Sequence, residues 1–189
     1  VPMKRIFPII FAAALSLFLF GCSSNEPQTL ALGETVTSEN YELTINDLSW
    51  EHPNDRGSWV FFSESSSSGT SSFSSTKSVS GLEGKSLFVV KATLKNTGSS
   101  AIGTFGDMYG EAKINGEYAY DVSFQLANGD SELLPLDSSD IFIYVKVPAD
   151  MENQYKNAEI LFGFKADLAD DHVMQDFSTA DKTYRLYFE

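Results

Sequence analysis

Lys85 to Gly98, K-S-L-F-V-V-K-A-T-L-K-N-T-G, is the stretch whose reading decides the fold class. Phe88, Val90, Ala92 and Leu94 share one parity; Lys91, Thr93 and Lys95 share the other. Successive strand side chains point to opposite faces, so this alternation predicts a strand with one buried face and one wet face. Leu87 and Val89 make its start apolar on both sides, as expected of a strand that begins deep in a sandwich. Asn96-Thr97-Gly98 closes it with turn residues.

Downstream, Met108 to Phe124 predicts a hairpin around Asn115-Gly116. A two-residue loop would place Tyr118 and Tyr120 beside Lys113 and Glu111. A three-residue loop with Gly116 left-handed instead puts Ala112, Ile114, Tyr118, Tyr120 and Val122 on one face, and unmixed faces favour it. Asp140 to Val147 is a further strand with Ile141, Ile143, Val145 and Val147 on one side; Pro148 ends it. One helical turn is expected within 150–157, a strand over Ala158 to Phe164, an acidic loop over 166–182, and a last strand over Thr183 to Phe188.

Upstream, Tyr41, Leu43 and Ile45 alternate with polar residues, after a brief edge strand at Glu34 to Thr37. Leu48 and Trp50 continue on the opposite parity, so a bulge is expected at Asn46-Asp47. His52 to Gly57 is a turn by composition. Ser58 to Phe62 is a short apolar strand, and Trp50 and Trp59 flank the turn as expected core anchors. Ser63 to Gly81 holds 11 serines in 19 residues and reads as a mobile Ser-rich loop inserted between strands. No stretch beyond the leader keeps a helical period. Many short strands separated by turn signals predict an all-β, antiparallel sandwich.

The first 21 residues are of another kind. Met3-Lys4-Arg5 is basic, and the 15 residues Ile6 to Phe20 are almost wholly apolar. That is short of the roughly 20 a helix needs to span a bilayer, and it fits the core of an export signal starting near Met3. Leu19-Phe20-Gly21-Cys22 resembles the bacterial lipobox, although Phe20 is bulkier than usual there. That resemblance implies cleavage between Gly21 and Cys22 and a diacylglycerol on the Cys22 thiol, which is the only cysteine in the chain. The expected organisation is a lipoprotein signal peptide over 1–21, a tether over 22–32 and one domain over 33–189 with the Ser-rich insertion at 63–81.

The net charge is −13 for the whole chain. Removal of Lys4 and Arg5 with the leader leaves 11 basic residues against 26 acids, a net charge of −15. Such a balance argues against nucleic acid and against electrostatic docking on anionic envelope polymers. With a single cysteine there is no disulfide framework, so the core alone must hold the fold.

The order of features also resembles a known family, the immunoglobulin-like domain of uncharacterised Gram-positive surface lipoproteins. That family shares its architecture with a secreted immunogenic protein of mycobacteria. The matching pieces are Leu32-Gly33-Glu34, Tyr41 to Ile45, the strand closing in Lys95-Asn96-Thr97-Gly98, the Asn-Gly hairpin, the Leu-x-Pro approach, Val147-Pro148 and Ala158 to Gly163. The Ser-rich insertion departs from the pattern. The resemblance implies a β-sandwich on a lipid tether, with no catalytic residue to carry over and no cofactor.

No phosphate cradle, nucleophile elbow or metal-helix motif occurs. The acidic run around His172 matches no calcium-loop spacing, so no metal is expected and the run reads as a solvated loop. The expectation is a non-catalytic module on the outer face of the membrane that binds an envelope or host protein or a glycan. The alternative is an accessory subunit of an envelope transporter or sensor; a hydrolase is a distant third. Trp59, Phe61 and Phe73, at the root and within the Ser-rich insertion, are the candidate interaction residues.

Overall fold

The computed structural model describes residues 26–68, 71–165 and 182–188. Cys22, Gly21, the leader and the acidic run with His172 lie outside them. Thirteen strands are described: β1 (Gln28–Leu30), β2 (Thr35–Thr37), β3 (Tyr41–Glu51), β4 (Trp59–Ser68), β5 (Ser71–Val79), β6 (Lys85–Asn96), β7 (Ile102–Gly103), β8 (Met108–Ile114), β9 (Tyr118–Leu126), β10 (Glu132–Leu133), β11 (Ser138–Pro148), β12 (Ala158–Phe164) and β13 (Tyr184–Phe188). A 3₁₀ turn, Glu152–Gln154, falls where one helical turn is expected.

Nine of these strands form one curled sheet in the order β1-β13-β12-β8-β9-β11-β6-β3-β2. It folds over on itself at β9, whose first residues pair with β8 (Ala112↔Tyr120) and whose last pair with β11 (Ile143↔Phe124). The result is two facing layers. β3, β6, β11 and the end of β9 stand where strands A, B, E and D of an immunoglobulin sandwich stand, and β8, β12 and β13 where C, F and G stand. The chain is an immunoglobulin-like β-sandwich: its strand pattern predicts the antiparallel sandwich, and the resemblance implies the immunoglobulin-like order.

The central strand behaves as its alternation requires. Phe88, Val90, Ala92 and Leu94 of β6 are buried between the layers, beside Tyr41, Leu43 and Ile45 of β3 and Ile141, Ile143 and Val145 of β11 in the same cluster. From the other layer come Ala112, Ile114, Ile160, Phe162, Phe164, Tyr184 and Leu186. A hydrogen bond between the Tyr41 and Tyr184 hydroxyls, 2.7 Å long and buried, links the two layers through this core. The pairing of β3 with β6 slips between Ile45 and Asp47, which is the expected bulge. The slip returns Leu48 and Trp50 to the core side, where Trp50 meets Phe88 edge-on at 5.2 Å between ring centres.

The hairpin loop has three residues, since Ile114 pairs with Tyr118. Asn115 (φ 55°) and Gly116 (φ 71°) are both left-handed, a conformation that Gly and Asn adopt at least cost. Asn115 also ties the hairpin to the 3₁₀ turn: its amide donates to the Gln154 carbonyl, and its side-chain oxygen accepts from the Lys156 N–H at 2.8 Å.

Two expectations are corrected. Residues 22–32 are not all tether, because Gln28–Leu30 forms β1, parallel to β13, with Leu30 buried. The domain therefore begins at Gln28; one apolar side chain and an open sheet edge suffice to recruit the segment. The Ser-rich insertion is likewise not a loop along its length. Its residues form the arms of the antiparallel hairpin β4–β5, paired from Trp59↔Val79 to Ser68↔Ser71 with a slip in register between Val60 and Phe62. Ladder bonds satisfy the backbone whatever the side chains, and a packed apolar root supplies the anchorage that serine composition alone lacks.

Candidate functional site

The outer face of the β3/β6/β11 layer is apolar at one end and polar elsewhere. Leu87, Val89, Phe142 and Tyr144 point outward there and would be wet without a cover. The root of the β4–β5 hairpin supplies it. Trp59, 4 % exposed, packs edge-on against Phe142 and Tyr144 with ring centres at 5.3 and 5.5 Å. Leu82 completes the cluster, and Phe61, Val79 and Ala127 border it. Leu87 and Val89, apolar on the parity opposite to the main core, are thereby explained: each face of the strand meets its own cluster. Burial also lifts the Tyr144 hydroxyl above its ordinary pKa, partly offset by a hydrogen bond with Ser123.

Beside this cover runs a groove of about 440 Å³. One wall is apolar, formed by the half-exposed Val60 and Phe61. The polar side carries Asn46, Asp47, Glu51, Lys91 and Asp140. Lys91 Nζ lies 3.3 Å from Glu51 and 3.9 Å from Asp47. Asn46 donates to the Thr93 hydroxyl, which donates in turn to Asp140, both at 2.8 Å. The bulge is what turns Asn46 and Asp47 to this face, since it breaks the alternation there. The site pairs an apolar wall with a row of oriented amide, hydroxyl and carboxylate groups. Such a surface suits a ligand with one apolar face and several hydrogen-bonding groups.

The three candidate interaction residues part company here. Phe61 lines the groove. Trp59 also lines it, but with only 4 % of its surface exposed, and its ring pins the hairpin to Phe142 and Tyr144. Phe73 pairs through its backbone with Ser66, and its side chain lies outside those described. Trp50 and Trp59, which flank one turn in sequence, stand on opposite faces of the layer in two separate clusters. The polar row was not singled out from sequence, because nothing local marks Asn46, Lys91 and Asp140 as neighbours across three strands. Among the described residues no three His, Cys, Asp or Glu side chains come together to hold a metal ion.

Two solved structures illustrate what the chain is similar to. An uncharacterised β-sandwich protein from Clostridium difficile 630 superposes with a TM-score of 0.59 at 15 % identity, over 89 % of this chain and 99 % of that one. A conserved hypothetical protein from Bacillus anthracis reaches a TM-score of 0.38 at 10 % identity, over 70 % of this chain and 88 % of that one. The first likeness shows the β-sandwich fold; the second is too slight to carry an argument. No protein-family model matches the chain, and no curated protein matches it.

Proposed function

We propose that the protein is a lipoprotein of the outer membrane face that binds an envelope glycan or extended peptide without transforming it. Its anchor is the diacylglyceryl group on Cys22, and its relatives are the immunoglobulin-like Gram-positive surface lipoproteins that its motifs resemble. The observation that carries the binding role is the groove between the Phe61 wall and the Asn46–Thr93–Asp140 row. The hairpin that builds its wall is an insertion between two sandwich strands.

Two substitutions test the halves separately. Cys22→Ala should move the protein from the detergent phase to the aqueous phase or leave an unprocessed precursor; an unchanged partition removes the anchor. Phe61→Ala should abolish capture of envelope glycans or peptides when compared at matched folded fraction, since Phe61 also packs on Trp59 and Phe142. Capture that persists in this variant moves the binding surface elsewhere.

A further inference from the structure

One end of the sandwich gathers the starts of β3, β8, β11 and β13 and the finishes of β6, β9 and β12. Tyr41 pairs with Asn96, Asn96 adjoins the start of β11 through Lys95↔Ser138, and Phe162 pairs with Tyr184. The loops of this end carry Phe105 at 87 % exposure, Leu136 at 81 % and Leu134 at 52 %. The loops belong to one framework, because β7 and β10 pair through Ile102↔Leu133 and the Thr104 N–H bonds the Ser131 carbonyl at 2.8 Å. Leu136 is left-handed, with φ 68°, a conformation that suits Gly or Asn far better than leucine. Folding alone gives no reason for a wet leucine at a strained position. By contrast, Tyr118 and Tyr187 are exposed at the opposite end.

The same end receives the N-terminal segment. The Gln28 N–H bonds the Thr183 carbonyl at 2.8 Å, just before β13 begins. Five residues, 23–27, separate Cys22 from Gln28. Six Cα steps reach about 20 Å at most. An 11-residue strand such as β11 places the opposite end about 36 Å further away. We infer that this loop end rests on the lipid bilayer, with Phe105, Leu134 and Leu136 seated among the headgroups and upper acyl chains. The inference depends on the Cys22 anchor proposed above. Glu39, Asp130, Glu132 and Asp137 are exposed on the same end, so the contact suits zwitterionic lipid and is opposed by anionic lipid at low salt.

The test uses the full lipidated chain in phosphatidylcholine vesicles, with or without brominated acyl chains. Phe105→Cys, Leu136→Cys and, as a control at the far hairpin, Glu117→Cys each take an environment-sensitive fluorophore, with fold checked by thermal midpoint. Emission should shift to the blue and be quenched by bromine at 105 and 136, and do neither at 117. Adding anionic lipid at low salt should shrink the shift. Water-like emission at 105 and 136 in protein that stays on the vesicles overturns the inference and leaves the anchor standing. A blue shift without bromine quenching means that protein covers the patch, and also overturns it, as does a shift that grows on anionic lipid. If vesicle retention does not depend on Cys22, anchor and inference fall together.

Discussion

Asn96 shows how one side chain can organise an end of a domain. It is fully buried, donates to the Ser100 and Leu133 carbonyls at 2.8 and 3.0 Å, and accepts from the Gly98 N–H at 3.0 Å. Its backbone carbonyl meanwhile accepts from the Leu136 N–H at 2.9 Å. Asn96→Ala would leave the buried Leu133 carbonyl and the part-buried Ser100 carbonyl and Gly98 N–H without their partner, at a cost of about 3 kcal/mol. For a domain of this size that is a fall of roughly 6–12 °C in thermal midpoint. A loss under about 2 °C would mean that water replaces the amide fully. The Lys-Asn-Thr-Gly ending was legible as turn chemistry, but the reach of its asparagine to Leu133, 37 residues on, has no local signature.

At the scale of the element, the β4–β5 hairpin divides into a packed root and outer arms. The root buries Trp59 against Phe142 and Tyr144, whereas the pairing from Glu64↔Ser75 outward joins mostly serines. Replacing residues 64–75 by an Asn-Gly turn between Ser63 and Thr76 should therefore move the thermal midpoint by less than about 3 °C, given the weak dependence of closure on length. Trp59→Ala should cost about 3–5 kcal/mol, or roughly 6–20 °C. Equal effects from the two changes would show that the arms pack as tightly as the root. Strand phases were the readable part of this fold: the bulge at Asn46-Asp47, the three-residue turn and both faces of β6 follow from parity. The hairpin was missed because serine signals neither strand nor core. The evidence for its root lay instead in Leu87, Val89, Phe142 and Tyr144, outward apolar residues that required a cover. The groove was illegible for a related reason: its polar row exists only once three strands are in register.

The whole molecule holds several tyrosines whose ionisation the fold resists. Burial raises the pKa of Tyr144 and, with added repulsion from Tyr187, that of Tyr155. The folded state then keeps phenol protons that the unfolded chain releases near pH 10, so this stability is intact below about pH 10 and drains away as pH climbs past it. The thermal midpoint should fall above about pH 10, and the pair Tyr144→Phe and Tyr155→Phe should make that fall shallower. An unchanged slope in the double variant would assign alkaline unfolding to other groups. A last consequence concerns mechanics. β1 runs parallel to β13, entering at the end of the domain where residues 26–27 precede it. A pull on that segment, with the far end held, is directed along both strands. The pairs from Gln28↔Tyr184 to Leu30↔Leu186 then share the load in shear and do not peel apart in turn. Under tension this short strand acts as a clamp, and the sheet's edge is the first part of the domain to bear force.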